Sequence, residues 1–251
     1  MRKILVIGIG AGDPDYLTIQ AIKALNRVDV FFIPDKGAEK AALRELRTAI
    51  CERFVERKDY RTIGVDIPKR AAGPDYLANV DEWHAALAAI YARLFEEELR
   101  EGQVGALLVW GDPSIYDSTL RIIERVRAKG LDLDYEAIPG ISSVQVLAAR
   151  HRIALNQIGE PVLLTTGRKL AEGFPSGHSA VVMLDGAQTF NRLAGEDLDI
   201  FWGAYLGTKD EILVSGKLAD VKDNIEAIRK RARDEHGWIM DTYLLRKSSS
   251  Q

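Results

Sequence analysis

The chain has 251 residues, 47% of them hydrophobic, enough apolar material for one large domain or two of about 100 to 150 residues each. Charged residues make up 28% and the net charge is −3, with both signs mixed along the chain, so no nucleic-acid footprint shows in the bulk charge. Cys51 is the single cysteine, which excludes an intramolecular disulfide and a multi-thiolate metal site. No apolar run approaches the ~18 residues that span a bilayer, so no membrane partner is expected. The basic start Met1-Arg2-Lys3 precedes a short apolar stretch broken by Gly8 and Gly10, unlike a signal peptide, and the cytoplasm is the expected address.

In chain order, Lys3 to Ile9 reads as a buried strand, Leu17 to Asn26 as a helix and Val28 to Ile33 as a second strand. Short apolar runs alternating with helical periods predict strand-helix-strand units on a parallel sheet. From Asp75 to Arg100, residues Leu77, Val80, Leu87, Ile90, Tyr91, Leu94 and Phe95 recur at helical spacing, predicting one long amphipathic helix closed by Gly102. A strand at Val104 to Trp110, a helix from Ser118 to Lys129 ended by Gly130, and a strand at Leu133 to Ile138 complete a doubly wound domain over residues 1–145. Residues 146–251 form a second domain, with strands at Pro161 to Thr166, Ala180 to Leu184, Ile200 to Leu206, Glu211 to Gly216 and Trp238 to Leu245. The turn Gly207-Thr208-Lys209-Asp210 predicts an antiparallel hairpin and therefore a mixed sheet. Asp220 to Asp234 is a charged helix with a narrow apolar stripe of Val221, Ile225 and Ile228, and the serine-rich tail from Lys247 carries no functional signal. The fold class is α/β in two domains, the first sheet mostly parallel and the second mixed.

Three loops follow predicted strands of the first domain, where open parallel sheets bind ligands. They are Gly8-Ile9-Gly10-Ala11-Gly12-Asp13-Pro14, Trp110-Gly111-Asp112-Pro113-Ser114-Ile115-Tyr116 and Ile138-Pro139-Gly140-Ile141-Ser142-Ser143. The first looks like a dinucleotide fingerprint, but Asp13 stands where its third glycine belongs. A carboxylate there repels a pyrophosphate by about 1 to 4 kcal/mol at close range. Asp112 repeats the problem, whereas both are compatible with a cationic ligand such as a sulfonium. Each loop alone is also ordinary turn chemistry.

The three loops in this order resemble the tetrapyrrole methylases that use S-adenosylmethionine, from end to end of the chain. One departure is Ala11, where that family usually has proline. The resemblance implies a cofactor trough between the two domains, lined by Gly10, Ala11, Gly111, Asp112, Ile115, Tyr116, Ser142 and Ser143, and completed by Leu184, Asp185 and Gly207. Phe31-Phe32-Ile33-Pro34-Asp35-Lys36-Gly37, Asp81-Glu82-Trp83-His84 and Ala149-Arg150-His151-Arg152-Ile153 are similar to the branch that methylates precorrin-5 at ring carbon 1 and releases acetate. S-adenosylhomocysteine is the implied co-product and a homodimer the implied assembly.

Methyl transfer from a sulfonium is an in-line displacement that positioning alone accelerates by several kcal/mol. Loss of an acetyl group as acetate needs water, and therefore a group that orients it. Asp35, at the end of the second strand, is the catalytic candidate, the alternative being that it caps a helix starting near Ala38. Lys36 and Arg44 are the chosen contacts for substrate carboxylates, from a pool that includes Lys40, Arg121, Arg150, Arg152, Arg168 and Lys169. His84, His151, His178 and His236 lack ligand spacing, so no metal is expected. Trp83, Tyr91 and Cys51 read as packing residues. A nicotinamide-dependent reductase, a methylase acting at another ring carbon and a non-catalytic binding module are the competing readings.

Overall fold

A computed structural model describes residues 1–35, 41–71, 73, 75–174 and 179–247. The chain divides into two compact units, Met1–Ser142 and Ser143–Gln251.

The first unit runs β1 (Arg2–Gly8), α1 (Ile19–Leu25), β2 (Val30–Asp35), α2 (Ala41–Phe54), β3 (Arg61–Asp66), α3 (Tyr76–Glu98), β4 (Val104–Val109), α4 (Thr119–Ala128) and β5 (Leu133–Ile138). Its sheet has the order β3-β2-β4-β1-β5 and every pairing is parallel. β1 lies between β4 and β5 and is covered on both faces: Ile4 and Val6 pack in one apolar cluster with residues of α3 and α4, Leu5 and Ile7 in another with residues of α1 and α2. That double burial is why β1 reads as a continuous apolar run rather than an alternating one. The Asp75 side chain caps α3 by accepting the Ala78 N–H at 3.0 Å, and Leu87, Tyr91 and Phe95 form its buried stripe. The end of α3 differs from expectation. The helix stops at Glu98 because Leu99 adopts an extended backbone and buries itself, and Gly102, at φ +82, turns the chain toward β4 instead of capping the helix.

Two elements of this unit are read incompletely in the sequence, β3 not at all and α2 only as a helix start near Ala38. In β3 only Val65 is buried, so an edge strand carries no apolar run to betray it. α2 is rich in arginine and glutamate, and its apolar face of Leu46, Ile50 and Phe54 is short.

The second unit comprises α5 (Ser143–His151), β6 (Val162–Thr166), α6 (Gly167–Leu170), β7 (Ser179–Met183), β8 (Leu198–Ala204), β9 (Ile212–Lys217), α7 (Leu218–His236) and β10 (Asp241–Lys247). Strand order is β6-β7-β10-β8-β9, with β6 parallel to β7 and the other pairings antiparallel. The β8–β9 hairpin closes through the Gly207–Asp210 turn, so the sheet is mixed as the sequence predicts. α7 packs Leu218, Ile225 and Ala232 on this sheet, with Val221 and Ile228 partly buried beside them.

A buried polar chain runs under α7. Arg229 Nε donates to Asp241 Oδ2 at 2.7 Å, Trp202 Nε1 donates to the same oxygen at 2.9 Å, and Arg229 Nη2 donates to the Asp185 carbonyl at 3.0 Å. The Tyr243 hydroxyl donates to Asp185 Oδ2 at 2.6 Å, and burial together with Asp185 pushes that hydroxyl well above its ordinary value. Removing one member of such a pair leaves a bare charge in the core. Arg229→Met should therefore lower the unfolding free energy by about 3–5 kcal/mol, read as the midpoint shift in urea denaturation.

Candidate functional site

The three glycine loops meet backbone to backbone. The Gly111 N–H donates to the Gly10 carbonyl at 2.9 Å, and the Gly10 N–H returns to the Gly111 carbonyl at 3.3 Å, a two-residue antiparallel bridge across the ends of β1 and β4. The third loop fits against both. A Cβ on Gly140 would sit 2.2 Å from the Gly111 carbonyl oxygen, and one on Gly8 would sit 2.6 Å from the Gly140 nitrogen. Only glycine allows this approach. Asp112 fastens the contact, since its Oδ2 accepts the Gly140 N–H at 2.8 Å while Oδ1 accepts the Ser114 N–H at 2.8 Å and the Ser114 hydroxyl. Burial raises the Asp112 carboxyl, but the bonds from Ser114 and Gly140 outweigh it and hold the group below its ordinary value. Asp13 has a similar local duty, accepting the Asp15 N–H at 2.9 Å.

Gly10, Ala11, Gly111, Asp112 and Ser142 are thus brought together, with Ala11, Gly111 and Ser142 buried. Ile115 is half-buried, and Tyr116 is exposed at φ +47. In the second unit, the Ser143 hydroxyl lies 3.0 Å from that of Thr242. Leu184, 65% exposed at φ +56, follows β7, while the neighbouring Asp185 turns inward and its carboxylate receives Thr189 and Tyr243. Gly207, at φ +77, donates its N–H to Glu211 Oε2 at 2.8 Å. Tyr116, Leu184 and Tyr205 are non-glycine residues in the left-handed region, a strain of about 1–3 kcal/mol each that concentrates at functional loops.

Asp35 and Arg44 form a separate group. Arg44 Nη1 donates to Asp35 Oδ2 at 2.9 Å, and both line a cavity of about 570 Å³ with Ile33, Thr48, Thr62 and Gly64. Lys36, Lys40 and His178 lie outside the described residues, as does the proposed helix start near Ala38.

Two features escaped sequence reasoning. The β2–β4 ladder ends at Phe32↔Leu107, beyond which Pro34 has no N–H to offer, and Arg47 Nε donates to the Leu108 carbonyl at 2.9 Å. Arg47 Nη1 also holds the Leu43 carbonyl at 2.8 Å, and burial lowers the guanidinium's affinity for its proton against the pull of Tyr91 and Asp117. Second, His84 Nε2 lies 2.8 Å from the Ser118 hydroxyl. The histidine is only 6% exposed, and burial, then Arg125 and Arg121, lower its pKa. A lone arginine on a helix, or a histidine and serine 34 residues apart, has no spacing signature. Among the described residues no group of three or more His, Cys, Asp or Glu is placed to hold a metal ion, and no helix is long and apolar enough to cross a membrane.

The family described as Tetrapyrrole (Corrin/Porphyrin) Methylases matches residues 3–222. The chain belongs to this family. A curated relative from Sinorhizobium sp., precorrin-6A synthase [deacetylating], is 55% identical over 99% of this chain and 97% of its own length. Among solved structures, a putative cobalamin synthesis related protein (CobF) from Corynebacterium diphtheriae is 39% identical with a TM-score of 0.84, covering 99% of this chain and 100% of that one. A uroporphyrin-III C-methyl transferase from Thermus thermophilus complexed with S-adenyl homocysteine shares the methylase fold at 16% identity and a TM-score of 0.58, covering 97% of this chain and 91% of that one.

Two outcomes follow from this methylase site. Gly140→Ala should cost about 1–3 kcal/mol of stability through the backbone clash, whereas Gly195→Ala, with nothing near its Cβ, should stay within about 0.5 kcal/mol by the same denaturation assay. For pH, His84 and His151 both have folded pKa values lowered from 6.5, burial being the first cause in each. The folded state therefore binds fewer protons than the unfolded chain just below that value. Stability should be full above about pH 6.5 and decline as pH falls from there toward the lowered folded values, with His84→Gln flattening the slope in denaturation curves taken at stepped pH.

Proposed function

We propose that this methylase transfers the methyl group of S-adenosylmethionine to ring carbon 1 of precorrin-5 with release of acetate, giving precorrin-6A and S-adenosylhomocysteine. The observation that carries this reading is the 55% identity to a precorrin-6A synthase [deacetylating] across 99% of the chain.

The first-unit loops fit such a cofactor. Gly10, Ala11, Gly111 and Ser142 present backbone and small side chains, and Asp112, held toward its ionised form, keeps a negative charge beside them. Bound S-adenosylmethionine supplies an activated methyl on a sulfonium. In this proposal Gly10, Ala11, Gly111, Asp112, Ile115, Tyr116, Ser142 and Ser143 hold it, with Leu184, Asp185 and Gly207 from the second unit. Asp185 contributes through its chain position, because its carboxylate and carbonyl are both engaged inside the core. Asp112 acts as the fastener of the loops.

The substrate is a polycarboxylate, and Arg44 with Lys36 is proposed to receive part of that charge. Asp35, nominated for orienting the water that completes acetate release, is ion-paired to Arg44 and so also sets the guanidinium's direction. The same reading places the enzyme in the cytoplasm as a homodimer, which size-exclusion chromatography with light scattering tests.

Mass spectrometry after incubation with S-adenosylmethionine and precorrin-5 should find one added methyl and stoichiometric free acetate. A methylated product with no acetate would move the chain to another ring carbon. Arg44→Gln should raise the KM for the tetrapyrrole roughly 10- to 100-fold, the size of a lost charge-assisted hydrogen bond, while cofactor affinity in calorimetric titration stays unchanged.

A further inference from the structure

Release of acetate requires attack on an acetyl carbon, and the structure holds a better-formed pair for that step than the ion-paired Asp35. Ser118 lies two residues beyond the second glycine loop and stands at the N-cap of α4, yet its hydroxyl makes no capping bond. The cap is supplied by Asp117, whose Oδ1 accepts the Thr119 N–H at 2.7 Å. The Ser118 hydroxyl is directed instead to His84 Nε2 at 2.8 Å, inside the 2.6–3.2 Å window of an activated nucleophile and its base.

The surroundings keep this base neutral. His84 projects from α3 and is 6% exposed. The charged groups facing it are Asp81 on its own helix, Arg121 and Arg125 from α4, and Arg70 from the segment before α3. Asp81 is engaged by Arg125 through its carboxylate and carbonyl, so the balance around the imidazole is cationic. Burial and these cations both disfavour imidazolium, so the ring can accept a proton at neutral pH. Arg121, whose Nη1 donates to the Asp117 carbonyl, adds positive charge beside Ser118 where an oxyanion would develop.

We propose that Ser118 and His84 form a nucleophile–base dyad that removes the acetyl group of the substrate, an assignment that rests on the deacetylating function proposed above. The Ser118 Oγ–H proton passes to His84 Nε2 as Oγ bonds to the acetyl carbonyl carbon. The carbon–carbon bond to the macrocycle then breaks, and its electron pair stays on the ring carbon, which becomes the nucleophile for methylation. Water, giving a proton to His84 after that ring has returned the first to solvent, adds to the acetyl ester. The ester C–O bond breaks, Oγ takes its proton back from His84, and acetate leaves. No oxidant or reductant is needed.

Two variants and one probe test the dyad. His84→Gln keeps a hydrogen-bonding group toward Ser118 but cannot act as a base, so it separates chemistry from the tie between α3 and α4. Both Ser118→Ala and His84→Gln should lose acetate release by at least roughly 10²-fold, the usual contribution of a positioned base. S-adenosylmethionine affinity should stay within about twofold of wild type by calorimetry, since neither side chain belongs to the glycine-loop backbone. Incubated with p-nitrophenyl acetate alone, the wild type should acquire an acetyl group on the peptide containing Ser118, and Ser118→Ala should not. Acetylation should weaken as pH falls and His84 becomes protonated. Wild-type acetate release by Ser118→Ala or His84→Gln would overturn the dyad, as would an acetyl label confined to another residue. Failure of the wild type to methylate precorrin-5 would count against the proposed function instead, and the p-nitrophenyl acetate labelling would still decide the dyad.

Discussion

Where the ends of β1, β4 and β5 converge, three stretches of main chain approach so closely that a single added methyl has no room. Gly8 and Gly140 make that approach to each other and to the Gly111 carbonyl, and Asp112 holds it with bonds to Gly140 and Ser114. The parallel sheet makes the convergence possible, because neighbouring strands deliver their loops to one edge. Glycine then makes it dense. The result is a backbone surface flanked by small side chains, suited to a ligand held by main-chain groups. The left-handed Tyr116 lies just beyond it, and Ser118, the N-cap residue of α4, two residues further on.

The second unit uses a different device for a comparable purpose. Its strand-end loops carry Leu184 and Tyr205 in left-handed conformations, and a buried chain of Asp185, Tyr243, Arg229, Asp241 and Trp202 anchors the residues behind them. Charges in a low-dielectric core are costly unless paired and hydrogen-bonded: Arg229 is ion-paired to Asp241, and the Asp185 carboxylate accepts bonds from Thr189 and Tyr243. Asp185 shows how such anchoring changes a residue's meaning. Its neighbour Leu184 is largely exposed, whereas the Asp185 carboxylate is turned fully inward.

The carboxylates of the glycine loops likewise have a structural task beside their charge. Asp13 and Asp112 looked like carboxylates waiting for a cation. Asp13 accepts the Asp15 N–H and Asp112 the Ser114 N–H within their own loops, and Asp112 also accepts the Gly140 N–H of the third loop, so both shape the loops as well as charging them. Asp35, read in the sequence as a water-orienting group or as the cap of a helix starting near Ala38, is paired to Arg44 in the first turn of α2.

The sequence alone determined the α/β class, the parallel sheet of the first half, the mixed sheet with its β8–β9 hairpin in the second, and the family. These follow from period, turn chemistry and glycine motifs, which are properties of short windows. It missed β3, where an exposed edge strand buries only Val65, and it misplaced the end of α3, where burial of Leu99 overrides the glycine signal. Only the tertiary structure decided which side chains meet: Arg47 at the Leu108 carbonyl, Asp112 at Gly140, and His84 at Ser118. Each of those contacts joins residues far apart in the chain, and the bond forms because folding buries polar groups that must find partners, a condition no local pattern encodes.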